Sequence, residues 1–239
     1  ILDVAIDLGP RQLSDEAGNA FYGRLLETVR TMPGVRAATL ANVVPLSGSN
    51  NQTGTWIQGA EVEAGGRVPQ VYFNVVGTDY LRTLAIPLVR GRDLAATDAA
   101  NGPRVAVINE TMARRFWPNG DALGARFSAT GARGPWIEVV GIARDTRYNS
   151  LGETTPPFAY LPLAQNHYSA MVLQVRTTGS VDAVGTAIGR TVRALDPQLP
   201  AVHPTPLETD MQLALLPAKA GATLLGAFGS LALLLATVG

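Results

Sequence analysis

The amino-acid sequence predicts an α+β fold: a split ferredoxin-like sheet (βαβ…βαβ) holding a large inserted mixed α/β subdomain, followed by the start of a transmembrane helix. Three observations predict it. A strand–helix–strand pattern near the front recurs near the back, and the stretch of over a hundred residues between them has apolar strands of its own. Finally, residues 220–239 contain no charged side chain.

In the first copy, residues 3–8 alternate polar and apolar, the period of a half-buried strand. Ser14 can cap the following helix, with Asp15 and Glu16 in its first turn. Phe21, Leu25, Val29 and Met32 form an apolar stripe at i, i+4, i+8 and i+11, and Pro33-Gly34 stops the helix before a returning strand at 35–44. In the second copy, residues 171–176 read as a strand and Gly179-Ser180 as a turn with a helix cap. Val184, Ile188, Val192 and Leu195 repeat the stripe, Arg193 matches Arg30, and Pro197 closes the helix before a strand at 201–205. Two such units pair into one four-stranded sheet with both helices on one face. Residues 1–48 and 167–210 are therefore assigned to one subdomain and 49–166 to an inserted one.

The insertion opens on a polar loop, 47–54, then a strand at 55–58. A long strand at 68–76 leads to a short helix at 79–84, and 86–92 forms an extended turn region. Residues 105–108 are an apolar run too short for a helix, suited to a buried strand. Asn109 is a good helix cap, and Glu110 places negative charge at the positive end of the helix dipole. Met112, Ala113, Phe116 and Trp117 share one helical face, Arg114 and Arg115 the other, and Pro118 ends the helix. After a Gly-rich turn, 136–143 reads as a second apolar strand, and a Pro-rich return follows at 156–162.

Asn-Glu-x-x-Ala-Arg-Arg-Phe-Trp-Pro (109–118), Glu-Val-Val-Gly-Ile (138–142) and Asp-x-Arg (145–147) together resemble the periplasmic core domain of MacB-type ABC transporter permeases. The resemblance extends to Pro33-Gly34-Val35, Tyr80-Leu81-Arg82-Thr83-Leu84, Ile86-Pro87-Leu88, Gly91-Arg92, Leu195-Asp196-Pro197 and the Leu-rich tail, and is nearest to the large permeases without an ATPase domain of their own. It implies a porter-type split subdomain, hung between the first two transmembrane helices on the periplasmic side of the inner membrane. It also implies coupling of ATP hydrolysis by a separate subunit to export or efflux, with a periplasmic adaptor as a candidate partner. The alternative from another class is a membrane-tethered ligand-binding or sensing domain, its pocket built by the Pro- and Trp-containing insertion.

Composition excludes other classes. The 19 basic and 19 acidic residues balance and are scattered, which gives no footprint for nucleic acid. Cysteine is absent, which excludes thiolate sites. Lys219 is the only lysine and no GxxxxGK[ST] surrounds it, so no ordinary phosphate loop exists. HExxH, GxSxG, GxGxxG and a calcium loop are also missing, so neither a catalytic residue, a cofactor nor a metal is expected. His167 and His203 read as solvated or core-edge histidines, Asp93 and Asp98 as loop or cap residues. Arg114 and Arg115 are a solvated helix face or, through their guanidinium forks, a contact for an acidic partner. Trp56, Trp117 and Trp136 are core residues or the lining of a groove.

Residues 220–239 are long and apolar enough to be nearly a full bilayer span of about 20 residues. Ala222, Gly226 and Ser230 are spaced by four, a stripe of small side chains on which another membrane helix can pack closely.

Overall fold

A computed structural model describes residues 1–60, 68–148 and 154–206. The expected membrane helix at 220–239, with Ala222, Gly226 and Ser230, lies outside the described residues. Among the described residues no helix is long and apolar enough to cross a membrane.

The fold is mixed α+β with a mixed sheet. β1 (Leu2–Asp7) buries Leu2, Val4 and Ile6 and leads through a short 3-10 turn to α1 (Asp15–Arg30). Ser14 Oγ accepts from the Ala17 amide at 3.3 Å, the cap its position predicts. Gly34, at φ 83°, turns the chain into β2 (Val35–Ala41). Near the other end, β11 (Ala170–Thr177) leads to α4 (Val181–Leu195), capped by Ser180, and then to β12 (Pro204–Pro206). These four strands lie in the order β12–β1–β11–β2, every neighbour antiparallel, with α1 packed beside α4. Phe21, Leu25 and Val29 share one core with Val184, Ile188 and Val192, so the two stripes face the same side of the sheet.

The intervening strands extend the sheet rather than starting a separate one. β5 (Gln70–Val76) meets β2 through one residue pair, Ala41 and Val76. Two backbone bonds flank that pair, Asn42 N–H to Val75 O at 2.9 Å and Gly77 N–H to Leu40 O at 2.8 Å. Beyond β5 come β10 (Phe158–Pro162), β7 (Val105–Asn109), β9 (Ile137–Ala143), β8 (Arg126–Ser128) and β4 (Trp56–Ile57). The β5–β10 and β7–β9 pairs are parallel. β3 (Asn51–Gly54) adds to β5 and β6 (Leu88–Gly91) to β9. Thus the polar loop expected at 47–54 contains a strand, and so does the turn region at 86–92. Both pair along another strand's edge, where backbone hydrogen bonding needs no apolar alternation.

Two short helices complete the fold, α2 (Tyr80–Leu84) and α3 (Glu110–Phe116). Tyr80 and Leu81 of α2 join Val76, Tyr148, Phe158 and Tyr160 in a second core. Inside it Tyr80 and Tyr148 hydrogen-bond through their hydroxyls, Asn74 Nδ2 donates to Tyr148 at 3.1 Å, and Thr146 meets Tyr160 at 3.0 Å. Burial pushes all three phenols well up from their ordinary pKa. Gly91 and Gly141 stand opposite each other where β6 pairs antiparallel with β9: a Cβ on Gly91 would strike Val140 O, and one on Gly141 would strike Arg92 O.

Candidate functional site

α3 positions the candidate arginines. Asn109 Oδ1 accepts from the Met112 amide at 2.8 Å and starts the helix; Met112 then fills the core. Arg114 and Arg115 project from the exposed side, but the structure separates their roles. Arg114 reaches Asp145 Oδ2 at 2.7 Å and Thr111 Oγ1 at 2.9 Å, and Asp145 Oδ1 accepts the Thr111 amide at 2.8 Å. Arg114 therefore helps hold the segment after β9 against α3. Arg115 pairs with no carboxylate among the described residues; its guanidinium lies 5.4 Å from the centroid of the Phe116 ring.

That stacked pair forms one wall of a groove of about 310 Å³. Trp56 and Ile57 of β4, Val68 and Trp136 are among the other residues that line it. β4 is held in place by β8, with Trp56 opposite Ser128 and Ile57 opposite Phe127. Trp136 is folded back by the turn before it: Gly134 has φ 89°, and a Cβ there would sit 3.0 Å from Trp136 N and 3.1 Å from its Cδ1. Only glycine leaves the indole that position. Chemically the groove is largely apolar and aromatic, and among its described lining residues Arg115 is the one cation. It suits an apolar side chain flanked by a carboxylate.

The other residues considered from sequence do different work. Trp117 packs edge-on against Phe116, at 6.1 Å between rings, and lies outside the groove. Asp98 takes both terminal nitrogens of Arg92, at 2.8 and 2.7 Å, and the Ala95 amide at 2.9 Å. The guanidinium holds its carboxyl below the usual aspartate range. Asp93 accepts from the Leu94 amide at 2.7 Å. His167 Nδ1 bonds Asn19 Oδ1 at 2.9 Å with its ring against Gly18, and His203 is exposed. Among the described residues no group of His, Cys, Asp or Glu is placed to hold a metal ion. The convergence of Trp56, Phe116 and Trp136 had one local signal, the Gly-rich turn before Trp136; the approach of β4, some eighty residues earlier, had none.

A family model described as the MacB-like periplasmic core domain matches residues 4–191. No curated protein sequence matches the chain. Among solved structures, the periplasmic region of MacB from Actinobacillus actinomycetemcomitans is similar, with a TM-score of 0.57 and 12% identity, covering 89% of this chain and 91% of that one. The extracellular domain of the noncanonic ABC-type transporter YknZ from Gram-positive bacteria has a TM-score of 0.55 and 16% identity, covering 86% of this chain and 100% of that one. At such identities the likeness is one of fold.

Proposed function

The chain belongs to the family of MacB-like periplasmic core domains, and from that premise we propose that it is the non-catalytic extracytoplasmic part of an ABC-type permease, transmitting movement of the membrane domain to export or to a periplasmic partner. The observation that carries this beyond family membership is the pairing of the first strand with the last described one. Leu2 opens β1 directly opposite Pro206, the last residue of β12. The start of the first strand and the end of the last described strand thus lie side by side at one end of the sheet, which suits the root of a lever. The outer strands, from β5 to β4, lie beyond the single pair Ala41–Val76. The order β12–β1–β11–β2 supports a porter-type, split ferredoxin-like subdomain at the root (1–48 and 167–210), with 49–166 as the working lobe.

In this reading the membrane is met through residues 220–239, where Ala222, Gly226 and Ser230 would pack on a neighbouring permease helix. The ATPase is a separate subunit, and a periplasmic adaptor would meet the groove beside Arg115. Purifying the intact permease with its native neighbours tests it: an ATPase subunit should co-purify, and the 239-residue chain alone should bind no Mg-ATP by calorimetry. Stoichiometric ATP binding to the chain itself would refute the reading. The groove favours a second reading, a tethered ligand-binding domain. A small molecule that raises the melting temperature of this chain, and loses that effect in Trp136→Ala, would select it.

A further inference from the structure

The short helix α2 is shared between the two parts of the sheet. Its apolar side chains belong to the outer core: Tyr80 and Leu81 are buried with Val76, Tyr148, Phe158 and Tyr160, and the Tyr80 hydroxyl meets that of Tyr148. Its two ends, however, are held by arginines of the four-stranded part. At the start, Arg30, the last residue of α1, donates from Nη2 to Thr78 O and to Thr78 Oγ1, both at 3.0 Å, and pairs with Asp79 at 3.3 Å. Its Nε is fixed on Ala38 O of β2 at 3.0 Å, and Thr39 Oγ1 adds a second donor to Thr78 O at 3.0 Å. At the far end, Arg176 of β11 places Nε and Nη2 on Thr83 O, at 3.0 and 2.8 Å. Asp79 and Ala85, which flank the helix, both have left-handed backbone, at φ 64° and 56°. Neither is glycine, and such a conformation persists only where the surrounding structure over-determines it.

A second fastening matters because the direct junction is narrow. It is one residue pair wide, Ala41 with Val76. The chain just past it is held by Asn74, which accepts the Val43 amide at 3.0 Å and donates to Val43 O at 2.7 Å. These bonds lie close together and permit a pivot. The apolar contacts around them, which run from Leu26 and Leu40 to Val75, are non-directional and tolerate sliding. On the α1 side a groove of about 240 Å³ opens between Gly23 and Leu26 of α1 and Leu94 and Ala95 of the outer part, which leaves room to turn. The bonds from Arg176 to Thr83 attach α2 to β11, one strand further from the junction than β2. A body held at two separated places cannot rotate about either.

We propose that α2 is the coupling strut of the domain: held at its two ends by Arg30 and Arg176, it fixes the angle between the four-stranded sheet and the outer strands, so that movement of one is passed to the other. Arg30 and Arg176 are its positioning residues. The use of that rigidity in transport rests on the permease reading above.

Spin labels replacing Arg24 on α1 and Arg133 in the outer lobe read the angle in the 239-residue chain, which has no cysteine to compete for the label. Wild type should give one narrow distance distribution. Arg30→Met with Arg176→Met keeps the apolar stems, removes both arginine fastenings and should widen the distribution by several ångströms. Arg176→Met alone loses only the bonds to Thr83 O and should widen it less; it decides the matter if the double variant fails to fold. Arg11→Met is the comparison, because the ion pair it removes, Arg11 with Asp196 at 2.7 Å, lies wholly within the four-stranded part. It should lower the melting temperature without widening the distribution, as a merely structural arginine does. In the intact permease the double variant should keep ATP hydrolysis by the ATPase subunit and lose export. A folded double variant, or failing that an Arg176→Met chain, with the wild-type width overturns the strut, as does equal widening in Arg11→Met; either result spares the permease reading. A widened distribution with undiminished export overturns the coupling role. Absence of any ATPase partner overturns the permease reading, while the distances in the chain alone still decide whether α2 sets the angle.

Discussion

Asn109 gives the sharpest test of how the outer strands are held together, because one buried amide serves three backbone groups. Its side chain is sealed in, at 1% exposure. Oδ1 accepts both the Met112 amide, at 2.8 Å, and the Phe158 amide, at 3.0 Å, while Nδ2 donates to Pro156 O at 2.9 Å. The first bond caps α3; the other two fasten the start of β10 beside β7. Asn109→Ala should lose about 1 kcal/mol for the cap and about 1–3 kcal/mol for the buried amide left without an acceptor. The total, about 2–4 kcal/mol, is a large share of a stability of about 5–15 kcal/mol. Ser180→Ala is the comparison, since Ser180 Oγ makes only one exposed cap bond, to the Ala183 amide at 3.4 Å. It should cost at most about 1 kcal/mol. Asn109→Asp keeps both acceptor roles and should fall between the two. Urea unfolding reads these differences as midpoint shifts at constant slope. If Asn109→Ala and Ser180→Ala agree to within about 0.5 kcal/mol, the tie between α3 and β10 carries no weight and the reasoning fails.

Other substitutions bear on the remaining joints. Gly141→Ala drives a methyl into the Arg92 backbone carbonyl and should cost about 2 kcal/mol or more; an unchanged melting temperature would show that β6 yields freely. Asp98 has its carboxyl lowered by Arg92, so its contribution is complete above the unfolded aspartate value, about 3.9, and is lost as pH falls through the lower folded value. Acid titration of Asp98→Asn should therefore be less stable near neutrality and flatter below about pH 4; an acid limb as steep as wild type would count against this pair. Arg114→Glu sets a carboxylate against Asp145 and should cost about 1 kcal/mol. Arg115→Glu should stay within about 0.5 kcal/mol yet weaken transport by the intact permease; full transport would remove Arg115 from the partner surface.

The parts of the fold that were legible in sequence are those written in local periodicity. The stripes Phe21–Leu25–Val29 and Val184–Ile188–Val192 gave α1 and α4, and both serine caps stand where their spacing put them. Short and half-exposed strands were less visible. Residues 51–54 are polar because β3 lies half in solvent along β5, so no apolar pattern marks them. β8 has three residues, too few for any period. Arg114 and Arg115 were indistinguishable as neighbours on one face, since what separates them is Asp145, thirty-one residues away. The Tyr80–Tyr148–Tyr160 cluster was equally hidden, because three single tyrosines on a helix, a loop and a strand meet only through tertiary packing.

Spin labels on the intact permease, reconstituted with its ATPase, test the transmission of movement most directly. One label replaces Arg133 in the outer lobe, a second replaces Arg24 on the exposed side of α1, and a third sits in the membrane domain. Distances are taken without nucleotide and with ATP bound. Transmission of movement predicts that the Arg133-to-membrane distance shifts by several ångströms on ATP binding, while the Arg24-to-Arg133 distance stays put, as one lever requires. Identical distributions for the Arg133-to-membrane pair in both states would contradict it.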